Sequence, residues 1–111
     1  MNARGFARYL LNQLGFEDVS EAENGRAAVH QLQVGDFDLV VSDWNMPEVD
    51  GMLLFQLMRK FPRTRSVPFI MMTNQNDHDK VRYALQSGVD GYLIKPLNLN
   101  SLHQAIHSLL E

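Results

Sequence analysis

The chain has no cysteine, so disulfide bonds and thiolate chemistry are excluded from the start. That absence agrees with a reducing, cytoplasmic setting. Its apolar runs fall far short of the ~20 residues needed to cross a bilayer. No secretory leader precedes the first helical pattern, so no membrane association is expected. A strong excess of one charge sign is also missing: 10 Lys and Arg against 13 Asp and Glu give a net charge of −3. General attraction to nucleic acid or anionic lipid is therefore not expected. Both standard glycine-rich phosphate loops are absent, which argues against a nucleotide-binding α/β enzyme. Cations do gather at Arg59, Lys60, Arg63 and Arg65. That cluster fits a solvated helix C-terminus, where cations are favoured, better than a nucleic-acid patch.

What is present is the balance of one globular domain. The 111 residues are 45% hydrophobic and 21% charged, with no repeat, low-complexity tract or linker to divide them. Ala3, Phe6, Ala7, Leu10, Leu11 and Leu14 recur at helical spacing, and Gly15 ends that helix. Residues 19–22 read as a short strand. Asn24-Gly25 opens a second helix carrying Ala28, Val29 and Leu32. Leu39-Val40-Val41 is an unbroken apolar run that predicts a strand buried on both faces. A third helix after Asp50-Gly51 aligns Leu54, Leu57 and Met58. Residues 67–72 form the next buried strand. A fourth helix turns Val81, Ala84, Leu85 and Gly88 inward. Residues 90–94 form the last strand, and Leu99, Leu102, Ile106 and Leu109 stripe the final helix. The six methionines sit largely within these patterns and read as core filling.

Strands alternating with helices predict a parallel sheet covered on both faces. Right-handed crossovers put every strand's C-terminal end on one edge, where open α/β sheets bind their ligands. Three successive strand ends carry Asp43, Thr73 and Lys95. A carboxylate can attack a phosphoryl group, while a hydroxyl and an ammonium can hold its oxygens. Each residue alone is a common turn or surface residue. Together, at consecutive strand ends, they point to phosphoryl chemistry.

These residues carry a resemblance to the response-regulator receiver family, and most closely to its single-domain chemotaxis type. The matching stretches are Ser42-Asp43-Trp44-Asn45-Met46-Pro47 with Asp50-Gly51, Met72-Thr73, Gly91-Tyr92 and Lys95-Pro96. The resemblance covers essentially the whole chain. It implies one receiver domain over residues 1–111 with a flavodoxin-like, doubly wound parallel sheet, in the strand order 2-1-3-4-5. It also implies that Asp43 is the phosphoacceptor, served by a histidine kinase or phosphotransfer protein. Asn45 would offer its carbonyl, beside Asp43, to Mg²⁺. Thr73 and Lys95 would contact the phosphoryl oxygens, Lys95-Pro96 would be a cis peptide bond, and Tyr92 would be the aromatic switch. A protein target would dock on residues 77–110.

The sequence departs from that family at its start, because Met1-Asn2-Ala3-Arg4 already belongs to the first helix. The family's first strand and its two adjacent carboxylates have no counterpart, which leaves four expected strands and five helices. Asp43 and one carbonyl make a poor site for Mg²⁺, which demands near-octahedral oxygen geometry, so weak metal binding is expected. The absent strand would lie between residues 19–22 and the Leu39 strand, leaving a gap too wide for hydrogen bonds. Three resolutions are open: a start further upstream, an inward shift of residues 19–22, or a dimer that covers the exposed edge. Asn74 stands where the family has a small residue, and its amide narrows access to Asp43. A phosphorylation-incompetent interaction module is the rival reading. His103 and His107, four apart on a helix, lack the further ligands of a metal site.

Overall fold

The computed structural model describes residues 3–46, 48–74 and 78–110. Several residues named above therefore lie outside the described set: Met1, Asn2, Pro47 and Asp77. Eight elements follow in order: α1 (Ala3–Gln13), α2 (Gly25–Val34), β1 (Val40–Asp43), α3 (Gly51–Lys60), β2 (Phe69–Thr73), α4 (His78–Ser87), β3 (Gly91–Ile94) and α5 (Leu99–Leu110). The five expected helices are present. The strands form one parallel sheet in the order β1-β2-β3.

Side-chain alternation along β2 creates two cores, because successive residues of a strand point to opposite faces. Phe69 and Met71 join Leu32 of α2, Leu54, Phe55 and Met58 of α3, and Ala84 of α4. Ile70 and Met72 face the other way, joining Ala7 and Leu10 of α1, Leu93 of β3, and Leu102 and Ile106 of α5. All five residues of β2 are buried, as a central strand requires. Met52, Met58, Met71 and Met72 are buried too, in keeping with their expected role as core filling.

Local signals set the helix ends. Asn24 and Asp50 cap α2 and α3 by accepting from the N–H groups of Ala27 and Leu53, each at 2.8 Å. Gly15 takes a φ of +97°, which lets Phe16 N–H reach back to Leu11 C=O at 3.0 Å while Gly15 N–H bonds Asn12 C=O. That pair of bonds stops α1 and turns the chain.

Three expectations need correction. Residues 19–22 do not form a strand, because a strand exists only as one side of a ladder and no strand among the described residues pairs with them. They also do not shift inward to pair with β1, so the described residues form a sheet of three strands rather than four. Val40 and Val41 are only half-buried, since β1 is an edge strand with one open side. On α4, Leu85 is 50% exposed and Gly88 lies beyond the helix as its positive-φ cap.

Residues 16–22 instead run without regular secondary structure, held by side chains. Glu21 accepts from Arg4 Nε at 3.0 Å and from Arg8 Nη1 at 2.9 Å, while Gln31 Nε2 donates to the Glu21 carbonyl at 2.7 Å. The hydrogen bond from Arg8, then that from Arg4, hold the Glu21 carboxyl below its ordinary value of 4.5. A depressed carboxyl stabilises the fold above its unfolded-state value and loses that contribution as pH falls through its folded-state value. Glu21→Gln is therefore expected to melt lower than the parent chain at neutral pH. Thermal melts across pH should show the two curves converging below about pH 4; a gap that persists there would show that the charge is not what matters.

Candidate functional site

Parallel pairing keeps the strand ends level. Asp43 closes β1 opposite Met72, and Thr73 closes β2 opposite Ile94. Two backbone bonds extend this alignment past the strands: Trp44 N–H to Met72 C=O at 3.1 Å, and Lys95 N–H to Thr73 C=O at 2.8 Å. Lys95 starts two strands away from Asp43, on the order of 10 Å at ordinary strand spacing. Its long side chain crosses that distance, and Lys95 Nζ forms an ion pair with Asp43 Oδ2. Both side chains are about three-quarters buried. Lys95-Pro96 is a cis peptide bond, as the resemblance implied.

Thr73 lies on the strand end between them and is only 2% exposed. Its Oγ1 has no hydrogen-bond partner among the described residues. Buried hydroxyls are normally paired, and leaving one unmade costs about 1–3 kcal/mol. Asp43, Lys95 and Thr73 thus share one sheet end, with the first two in contact and the third unsatisfied. Tyr92 is on β3 and 38% exposed, turned outward. Asn74 is exposed beside Thr73.

The loop after β1 folds tightly over this end. Asn45 N–H donates to Asp43 Oδ1 at 3.3 Å, and Gly51 N–H bonds Trp44 C=O at 2.8 Å. A β-carbon on Gly51 would lie 2.4 Å from the Asp43 carbonyl oxygen and 3.0 Å from Trp44 Cα. Only glycine allows the start of α3 to approach so closely. Among the described residues no group of three or more His, Cys, Asp or Glu is placed to hold a metal ion. Asp43 and the Asn45 carbonyl are the oxygen donors that the sequence singled out here.

Sequence reasoning missed Lys80. Its Nζ lies 3.4 Å from Asn45 Oδ1 and 5.4 Å from the centre of the Trp44 ring. Tyr83, one helical turn on, packs against Trp44 at 6.3 Å. These contacts join α4 to the loop beside Asp43. An i, i+3 Lys–Tyr pair on a helix carries no such signal by itself. The basic cluster, by contrast, has structural work: Arg59 pairs with Asp90 at 2.7 Å and Arg63 with Asp36 at 3.1 Å.

An unpaired buried hydroxyl gives a direct expectation. Thr73→Val keeps the side-chain shape and removes the unsatisfied group, so it should stabilise the chain by about 1 kcal/mol. Urea denaturation would show this as a higher midpoint at unchanged slope. A lower midpoint would mean that the hydroxyl is satisfied in solution.

Residues 2–107 match the model of the response regulator receiver domain. The chain is 36% identical over 108 residues to the chemotaxis protein CheY of Pseudomonas aeruginosa, covering 97% of this chain and 87% of that protein. Among solved structures, it is similar to the signal receiver domain of a signal transduction histidine kinase from Syntrophus aciditrophicus. That likeness has a TM-score of 0.84 at 31% identity, over 96% of this chain and 80% of the other. The receiver domain of sensor histidine kinase PA1611 from Pseudomonas aeruginosa PAO1, with magnesium coordinated in its active-site cleft, superposes with a TM-score of 0.83 at 25% identity, over 95% and 85% of the two chains. The sheet with helices on both faces agrees with these relatives, and no helix among the described residues is long and apolar enough to cross a membrane. This chain belongs to the response regulator receiver domain family, the signalling modules of two-component systems rather than classical enzymes.

Proposed function

We propose that Asp43 accepts a phosphoryl group from a phosphohistidine of a histidine kinase or phosphotransfer protein, and that the phosphorylated chain then relays the signal to a protein target. The observation that carries this reading is the Asp43–Lys95 ion pair beside a buried Thr73 hydroxyl without a partner. In the transfer, a carboxylate oxygen of Asp43 bonds to phosphorus as the P–N bond to the donor imidazole breaks. The imidazole leaves with that bond's electron pair. Lys95 neutralises charge on the transferred group, and the Thr73 hydroxyl donates to one of its oxygens.

The same contacts supply a switch. Phosphorylation adds negative charge and acceptor oxygens at this sheet end. Thr73 moves toward them, and Tyr92 turns inward into the volume that Thr73 leaves. Two packings that differ by a few kcal/mol are reweighted by such contacts. The target then docks on α4, β3 and α5, within residues 77–110. Tyr83, Leu85, Ile94 and Leu99, all at least 41% exposed, supply apolar surface on these elements for a partner to cover and support that reading.

The residues present do not fit a tight Mg²⁺ site. Mg²⁺ is usually held in octahedral geometry by one or two carboxylates with waters and phosphate oxygens, and Asp43 is the carboxylate offered here. We therefore read Mg²⁺ binding as weak. The sparse donor set also favours a second reading, an interaction module that works without phosphorylation.

Acetyl phosphate separates the two readings. With Mg²⁺ in excess, intact-protein mass spectrometry should show one added phosphoryl group on part of the population, absent in Asp43→Asn. No adduct under any Mg²⁺ concentration would leave the interaction module standing. For the metal, fluorescence of Trp44, the only tryptophan, should drift without saturation through the millimolar range of Mg²⁺. Saturable quenching at micromolar Mg²⁺ would contradict the weak-site reading.

A further inference from the structure

The charges around Asp43 mostly cancel. Its own carboxylate is paired with Lys95, and Glu48, in the loop after β1, is paired with Arg26 at 3.2 Å. Asp50 caps α3 through the Leu53 N–H. Lys80 is different. Among the described residues its ammonium meets neutral groups: the Asn45 side-chain oxygen at 3.4 Å and the Trp44 ring, whose centre is 5.4 Å away. Asp79 precedes it in α4, but successive residues of a helix do not face each other. The ammonium therefore stands uncompensated beside a site whose own ion pair is neutral.

Lys80 is held in that place. Trp44 is buried, and its backbone is bonded in both directions, N–H to Met72 C=O and C=O from Gly51 N–H. Tyr83, one turn further along α4, packs against the same ring. A cation over an indole is attracted by the negative face of the ring. The Lys80 head is thus anchored by ring and amide, and the residue is half-buried. Asn45 in turn donates its N–H to Asp43 Oδ1 at 3.3 Å. One residue links the ammonium to the carboxylate, a separation comparable with the screening length of about 10 Å at 0.1 M salt. An anion approaching Asp43 feels a charge at that range, in proportion to its own charge.

We propose that Lys80 selects the phosphodonor for the reaction at Asp43, favouring small acyl phosphates that arrive as dianions over donors that arrive as monoanions. The inference rests on Asp43 being the phosphoacceptor. Lys95 does not supply this preference at long range, because the Asp43 carboxylate cancels its charge until a donor is in contact. Lys80 sets how often a donor is captured and leaves the bond-making step to Asp43. With acetyl phosphate, the Asp43 O–P bond forms as the P–O bond to acetate breaks, and acetate leaves with the electron pair. With phosphoramidate, the P–N bond breaks and ammonia leaves with the pair.

These two donors test the proposal on the parent chain, Lys80→Met and Lys80→Arg. At neutral pH acetyl phosphate is a dianion and phosphoramidate a monoanion. Each is supplied well below saturation with Mg²⁺ in excess, and initial adduct formation is followed by intact-protein mass spectrometry. The readout is the acetyl phosphate rate divided by the phosphoramidate rate. At an ionic strength of about 0.05 M, Lys80→Met should slow the first reaction about fourfold and the second about twofold, because the interaction is linear in donor charge. The ratio then halves. Lys80→Arg should keep the parent's ratio, and at about 0.5 M salt all three ratios should converge. Partial loss of folded protein slows both donors by one factor and leaves the ratio untouched. An unchanged ratio in Lys80→Met therefore overturns the proposal, as does a halved ratio that survives high salt or that arginine fails to restore. Those outcomes leave the Asp43 reading intact. No adduct from either donor in the parent chain overturns that reading and this proposal together.

Discussion

The Asp43–Lys95 ion pair spans the sheet from its first strand to its third, and it exists only because β2 holds the other two strand ends level. Slide either ladder by one residue and every side chain on that strand changes face. Lys95 would then face away from Asp43, and Thr73 would leave the gap between them. The register is secured by burial. Phe69 and Ile70, both fully buried, lock β2 between two cores that cannot exchange contents without exposing large apolar side chains. The polar site is thus positioned by apolar packing one layer beneath it.

Much of this was legible because the relevant signals are local and directional. An apolar run followed within two residues by Asp43, and directly by Thr73 and Lys95 in the later strands, identifies strand ends by chemistry as well as by position. Helix boundaries at Asn24, Asp50 and Gly15 follow from side-chain caps and a left-handed turn, which need no distant partner. Residues 19–22 failed as a strand for the opposite reason: pairing is a property of two segments, and Glu21 and Ala22 carry little strand preference of their own. The half-burial of Val40 and Val41 has the same origin, since a hydrophobic run states what it prefers and not how many sides will be covered.

Other features were invisible because they depend on tertiary approach. Nothing around Lys80 distinguishes it from any surface lysine until α4 is laid beside Trp44 and Asn45. Glu21 falls inside the expected 19–22 strand, yet its role is to tie that segment to α1 through Arg4 and Arg8. The family pattern named Asp50-Gly51, and the structure adds the reason: the Gly51 α-carbon sits where any β-carbon would strike the Asp43 carbonyl.

The unpaired edge of β1 also bears on how the molecule comes apart. α1 meets the remainder through side-chain packing with α5 and one face of the sheet, and through the exposed charges around Glu21. Among the described residues, no backbone ladder ties residues 3–24 to the strands. Segments held this way open at lower free energy than central strands, in cooperative pieces. The N-terminal helix and the connection after it therefore form the natural first unit to detach, while β2 and its two cores would be the last to yield.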